Sequence, residues 1–203
     1  WGQSLGVHAP VFYSRSDDGG QSWLRPVEVD RKDGRYAEEY APGRPNLVAV
    51  GTDEIHLVWF GAPAGQRWHQ WSRDGGDTWS SPEQISADLR GFCEPPSMAV
   101  DGSGTVHLVS SGFFAAYHAS WHDVRWSPLT LIEDVSGDVD GGGEFLAVAV
   151  SSGSTLHVLG DYGGFKHIWT SSLAVDALPL PVERRPTTPS GAAVLGTESD
   201  TVS

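Results

Sequence analysis

The octapeptide Ser16–Trp23 (SDDGGQSW) returns 56 residues later as Ser72–Trp79 (SRDGGDTW), and both fit the pattern S-x-D-G-G-x-(S/T)-W. A turn repeated at full length confines the chain to architectures that use one unit of structure several times. Asp18 and Asp74 are short acceptors expected to bond backbone N–H groups two residues on. The pairs Gly19-Gly20 and Gly75-Gly76 offer the positive φ that a tight hairpin needs. Trp23 and Trp79 are expected to return the chain to the core as apolar anchors. On this reading Ser16, Asp18, Gly20, Trp23, Ser72, Asp74, Gly76 and Trp79 are structural, and the aspartates are not catalytic.

A longer period runs beneath the octapeptides. RPNLVAVGTDEIHLVW from Arg44, EPPSMAVDGSGTVHLVS from Glu94 and EFLAVAVSSGSTLHVLG from Glu144 superpose, each giving an apolar strand, a polar turn and a second strand with one histidine. Those histidines are His56, His107 and His157, spaced 51 and 50 residues. A third strand follows in RWHQWS, AYHASW and FKHIWT, with His69, His118 and His167 at intervals of 49. Weaker fourth strands are expected near 82–85, 129–132 and 178–182. Four short antiparallel strands every ~50 residues match a propeller blade. Helical periodicity is absent from the sequence, so the fold is expected to be all-β, a β-propeller.

The blades are placed at about 1–30, 44–87, 94–133 and 144–183, with part of a further blade at 189–203. The whole of 1–203 is read as one partial propeller domain. Trp1 aligns with Trp59, and PSGAAVLGTESDTVS from Pro189 resembles 45–56, so both ends fall in mid-blade. The third and fourth repeats lack the octapeptide. Asp123 falls where Asp74 sits, but Trp126 comes two residues early, and Ser172 replaces the aspartate in the fourth repeat.

Composition narrows the function classes. Nine Trp and 39% hydrophobic residues supply a sizeable core. A net charge of −13 disfavours nucleic acid as a partner, because a phosphate backbone demands cations. Cys93 is the single cysteine, which excludes an intrachain disulfide and a Cys-cluster metal site. No apolar run approaches the ~18 residues of a membrane span.

The paired octapeptides resemble the Asp-box (BNR repeat) of the sialidase (neuraminidase) superfamily, whose members are six-bladed propellers. The resemblance covers nearly the whole chain. It implies a fragment of a six-bladed propeller, against the alternative of a four-bladed ring closed by its own ends. It also implies that the octapeptide turns lie on the face opposite the active site. Degenerate boxes in some blades are usual for the family.

Candidate chemistry then belongs where each innermost strand begins. Alignment on Val50, Val100 and Val150 puts Arg44, Glu94 and Glu144 in equivalent places around a central funnel, as candidate catalytic residues. A guanidinium grips a ligand carboxylate with two parallel bonds. Two neighbouring carboxylates push their pKa values apart and supply an acid and a base. Such a pair lies ~5 Å apart in retaining glycosidases and ~6.5–9.5 Å in inverting ones. The competing reading is a strut in which Arg44 simply pairs with Glu94. Gly43-Arg44-Pro45 resembles the family's R-I-P motif without its Ile, whereas the other two arginines of the family's triad and its Tyr nucleophile have no match here.

The loop RYAEEYAPGR brings Tyr36, Glu38, Glu39 and Tyr40 beside Arg44, with Arg90 and Asp140 at the place of Tyr40 in the next repeats. Aromatic rings with carboxylates suit sugar recognition, so Glu38, Glu39, Tyr40, Arg90 and Asp140 are candidate substrate-binding residues. A solvated acidic loop is the alternative. The repeat-equivalent histidines are spread one per blade and are read as packing or cross-strand hydrogen bonding, with no metal and no cofactor expected. The 134–144 run with Asp138 and Asp140 lacks EF-hand spacing and is read as an acidic loop.

Two functions stay open. One, implied by the resemblance, is an exo-α-sialidase-type glycoside hydrolase acting on terminal acidic sugars, with a glycan or glycoconjugate as partner and an extracellular or cell-envelope location. The other is a non-catalytic propeller that binds carbohydrate or protein. A polysaccharide lyase on the same scaffold is a third, lacking a base that can be placed.

Overall fold

The computed structural model describes residues 11–29, 43–61, 66–86, 89, 96–112, 115–134, 146–152, 154–162 and 167–175. Among them the structure is strand and turn throughout, without a helix. Strands β1 (Phe12–Tyr13) and β2 (Val27–Glu28) pair as a first, two-stranded sheet. The second sheet runs in sequence order through β3 (Gly43–Val50), β4 (Glu54–Gly61), β5 (Gln66–Ser72) and β6 (Glu83–Gln84). The third holds β7 (Ser97–Val100), β8 (Val106–Ser111) and β9 (Ala115–His122). Its fourth strand comes in two pieces, β10 (Arg125–Trp126) and β11 (Thr130–Asp134), both pairing with β9. The last sheet is β12 (Leu146–Ser151), β13 (Thr155–Tyr162) and β14 (His167–Ala174). Every pairing is antiparallel, as the short turns require.

The core lies between sheets. Val11 and Val29, which flank the first sheet, pack with Leu57 and Trp59 of the second. Val58 of the second packs with Met98, Val106, Leu108 and Trp121 of the third. Val109 and Ala116 of the third pack with Leu146, Val158 and Trp169 of the fourth. In β4 all of Ile55–Phe60 are buried, because alternate side chains enter different seams. Each fully buried aliphatic side chain contributes roughly 2 kcal/mol. Polar links cross the same seams. The Met98 N–H donates to Asn46 Oδ1 at 3.1 Å, and one sheet further on the Val148 N–H donates to Ser97 Oγ at 3.3 Å.

The octapeptide turns behave as structural elements, with one change in detail. The aspartates reach four residues on, not two. Asp74 Oδ1 accepts the Thr78 N–H at 2.8 Å and Oδ2 accepts the Thr78 hydroxyl at 2.6 Å. Asp18 repeats this with Ser22 at 2.9 and 2.6 Å. The nearer donors go to the serines: Ser72 Oγ accepts from the Gly76 N–H at 2.8 Å and Ser16 Oγ from the Gly20 N–H at 2.7 Å. Bonds from Ser22 and Thr78 hold both aspartates at about 2, so the acceptors stay ionised. The four glycines take φ of 71° and 90° (Gly19, Gly20) and 69° and 92° (Gly75, Gly76), as expected.

The two tryptophans part company. Trp79 meets the Tyr13 ring edge-on at 5.2 Å, with its indole N–H donating to Gly76 O at 3.1 Å. Trp23 is 67% exposed, which corrects the expectation that it anchors the core. The anchor is made by the neighbouring repeat, and among the described residues no ring sits against Trp23 as Tyr13 does against Trp79. The first sheet also clamps the second turn, with Tyr13 Oη and Arg15 Nη1 both donating to Gly75 O at 3.1 and 2.7 Å. Arg15 bonds Asp77 as well, at 2.8 Å.

Trp126 holds the place of Trp79. Ser127 bonds Ser120 through backbone and hydroxyl as Ser80 bonds Trp71, but seven residues on where Ser80 is nine. The missing octapeptide is therefore a turn two residues shorter, closed by positive φ at Asp123 (49°) and Val124 (64°).

Two register assignments change. His56, His107 and His157 face Trp71, Ser120 and Ser172. His69 lies opposite Val58 and His118 opposite Val109, so the matching residue opposite Leu159 is Thr170, and His167 faces Tyr162 instead. The even interval of 49 arose because the β8–β9 turn, with the Gly112 N–H on Ala115 O, is two residues shorter than those joining Gly61 to Gln66 and Tyr162 to His167. Likewise the inner strands match at Asn46, Ser97 and Ala147, opposite Val58, Val109 and Leu159, which is one residue off the alignment of Val50 with Val100.

A Cβ on Gly76 would stand 2.2 Å from Tyr13 Cε1, whereas one on Gly20 meets nothing within 4 Å. Both positions have positive φ, so backbone strain is common to the two. Gly20→Ala is expected to cost about 1 kcal/mol and Gly76→Ala about 3 kcal/mol, since only the latter pushes the first sheet off the second. Urea midpoints of the two variants check the difference, and equal losses would mean that the Tyr13 contact carries nothing.

Candidate functional site

The sheets have two distinct ends. The Gly75 N–H donates to Asp53 O at 2.8 Å, so the octapeptide turn sits beside the β3–β4 turn. At the other end Gly43 pairs with Phe60, next to the Gly61–Gln66 connection. Arg44 therefore enters the fold at the end opposite the octapeptide turns, where a register shift between Gly43 and Asn46 interrupts β3. Only the backbone of Arg44 is described. Glu94, Glu144, Glu38, Glu39, Tyr40, Arg90 and Asp140 lie outside the described residues, as do Tyr36, Asp138 and the expected strand at 178–182.

The end that holds Arg44 contains a second cation that the sequence reading missed. Arg67 is fully buried at the start of β5. Its Nε donates to Ser110 Oγ at 3.0 Å and its Nη2 to Ser111 O at 3.2 Å, both on the neighbouring sheet. Its guanidinium lies 5.5 Å over the Phe60 ring. The places that match Arg67 hold Ala116, opposite Ser111, and Ile168, opposite Asp161. Departure from the repeat was the available signal.

Histidines fill the seams as two hydrogen-bonded chains. In the second sheet Glu54 Oε1 meets His56 Nε2 at 2.8 Å, His56 Nδ1 meets His69 Nε2 at 3.0 Å, and His69 Nδ1 meets Glu83 Oε1 at 3.0 Å. Both imidazoles are fully buried, and His69 is enclosed by the rings of Trp71, Trp121 and Trp126. In the third sheet Asp101 Oδ2 meets His107 Nε2 at 3.2 Å and His107 Nδ1 meets His118 Nε2 at 3.0 Å. Burial pushes all four imidazoles down, His69 and His118 to about 4. This is the cross-strand bonding that the sequence suggested for His56, His69, His107 and His118, whereas His157 instead meets Ser151 Oγ at 2.7 Å.

A cleft of about 620 Å³ opens beside the β9–β10 turn, lined among others by Ile85, Ser86, His122, Arg125, Trp126 and Leu129.

Two outcomes follow from this geometry. Arg67→Met is expected to lower stability by about 3 kcal/mol in urea unfolding and Ser110→Ala by about 1.5 kcal/mol, since the former removes a charged donor from partners left buried. His118 has a folded value of about 4, below the ordinary 6.5 of the unfolded chain. Its neutral form is therefore favoured by folding, so the stability it confers is complete above pH 6.5 and is lost as pH falls toward 4. In His118→Gln the fall in stability across that window is expected to shrink by at most about 3 kcal/mol. An unchanged pH profile would place His118 in contact with water.

No family model and no curated protein sequence matches the chain. Solved structures do. The Hadza microbial sialidase Hz136 superposes with a TM-score of 0.59 at 17% identity, over 81% of this chain and 38% of its own. A protein of unknown function from Dyadobacter fermentans gives 0.58 at 13% identity, over 78% and 52%. The NanB sialidase from Streptococcus pneumoniae gives 0.51 at 18% identity, over 73% and 23%. The chain thus spans between a quarter and a half of the length of these neighbours. At such identities the likeness is one of fold: the chain has a sialidase-like β-propeller fold.

Proposed function

We propose that this chain is part of an Asp-box propeller of the sialidase type, a glycoside hydrolase that acts on terminal acidic sugars of glycans. The observation that carries the reading is Arg44. It stands at the start of an innermost strand, at the end opposite the octapeptide turns, in a fold shared with two named sialidases. A guanidinium there would take the sugar carboxylate in a two-point grip, which a lysine cannot reproduce. Glu94 and Glu144 would supply the acid and the base, with their pKa values driven apart by proximity. Glu38, Glu39, Tyr40, Arg90 and Asp140 would form the rim that holds the glycan, and an extracellular or envelope setting would supply such glycans.

Turnover of a fluorogenic sialoside tests the reading. Arg44→Ala is expected to lower kcat/KM at least about 100-fold, the worth of a two-point charged contact of ~3 kcal/mol, with an unchanged urea midpoint. Equal turnover in the variant would remove Arg44 from the site. Retention on sialylated glycans without turnover would support the non-catalytic binding propeller instead.

A further inference from the structure

The two histidine chains differ in how many protons they need. A hydrogen bond between two electronegative atoms holds one proton, and an ionised carboxylate is an acceptor only. The Asp101–His107–His118 chain has two links. Two neutral imidazoles bring two N–H groups, and both links are filled: His107 Nε2–H donates to Asp101, and His118 Nε2–H donates to His107 Nδ1. The Glu54–His56–His69–Glu83 chain has three links, all at 2.8–3.0 Å. With both carboxylates ionised, two neutral imidazoles leave one link with lone pair against lone pair. A fourth proton would set N–H against N–H in the central link. Only three protons fit.

We propose that Glu54, His56, His69 and Glu83 form one proton-sharing chain that takes up a single proton on acidification, completing its third link, and then refuses a second. The seam between the second and third sheets would thereby hold a clasp whose last link is completed by acid, which the Asp101 chain lacks. Among the described residues, the groups that face the clasp both favour and limit its charge. Glu54 and Glu83 close its ends, each about one-third exposed, and attract one shared positive charge. Arg73, just beyond β5, opposes charge on His56. The third sheet presents the rings of Trp121 and Trp126, which do not titrate but exclude water, so burial opposes charge on both imidazoles and lowers the pH of uptake. His56 and His69 stack with ring centres 5.2 Å apart, so their protonation is coupled and belongs to the pair.

The test is imidazole ¹⁵N NMR of the 203-residue chain from pH 8 to 4.5, alongside urea unfolding at each pH. His56 and His69 are expected to shift together by one proton in total, at a higher pH than His107 and His118. Glu83→Gln supplies an amide N–H to His69 Nδ1, so two neutral imidazoles then fill every link and the uptake disappears. The unfolding constant of that variant should rise about tenfold more per pH unit than in the wild type below the pH of uptake, because its folded state no longer binds the proton. Glu54→Gln does the same from the other end and serves if Glu83→Gln does not fold. Uptake of two protons, uptake in step with His107 and His118, no uptake before unfolding, or wild-type behaviour in the glutamine variants would each overturn the proposal.

Discussion

Among the described residues no sheet owns a core; each buries a face against a neighbour. The central strands β4 and β8 show the consequence, since both of their faces are buried and their side chains divide between two seams. Stability is thus a sum of seams, and what crosses a seam matters more than what lies within a sheet. The bonds from Met98 to Asn46 and from Val148 to Ser97 matter for this reason. They fix the sliding of one sheet on the next, which apolar contact alone leaves loose.

Most of the polar groups described in the seams have partners arranged, although Gln70 Oε1 and the indole N–H groups of Trp126 and Trp169 have none. His56 and His69 are fully buried yet have all four ring nitrogens engaged, and buried Arg67 spends its donors on the adjacent sheet. Such networks specify one packing where an apolar seam would tolerate several, and a broken one costs more than an apolar replacement. The octapeptide turns apply the same rule at the surface. Each Ser-Asp pair satisfies the turn from within, which leaves Gly75 O free to accept from Tyr13 and Arg15 across the seam.

Periodicity made the fold legible, and its small irregularities account for what was misread. The four-strand unit, the octapeptide turns and the all-β class follow from spacing and turn chemistry. His167 was misplaced because a two-residue difference in one hairpin mimicked a constant interval. Trp23 was misread because burial depends on a neighbouring sheet, which no local pattern encodes. The third repeat looked degenerate, although its Trp126 and Ser127 preserve the bonding of Trp79 and Ser80 in a shorter turn. Arg67 has no counterpart at the matching places, which hold Ala116 and Ile168, so periodicity does not mark it.

That last point bears on where chemistry can reside in a repeated fold. Residues that recur once per sheet are held at equal distances around an axis and answer to packing, which every sheet needs alike. A site needs unlike groups facing one ligand, so it must be assembled from positions where the repeat is broken. Arg44, at an irregularity in β3, and Arg67, matched by Ala116 and Ile168, are breaks of this kind, and both lie at the end away from the octapeptide turns.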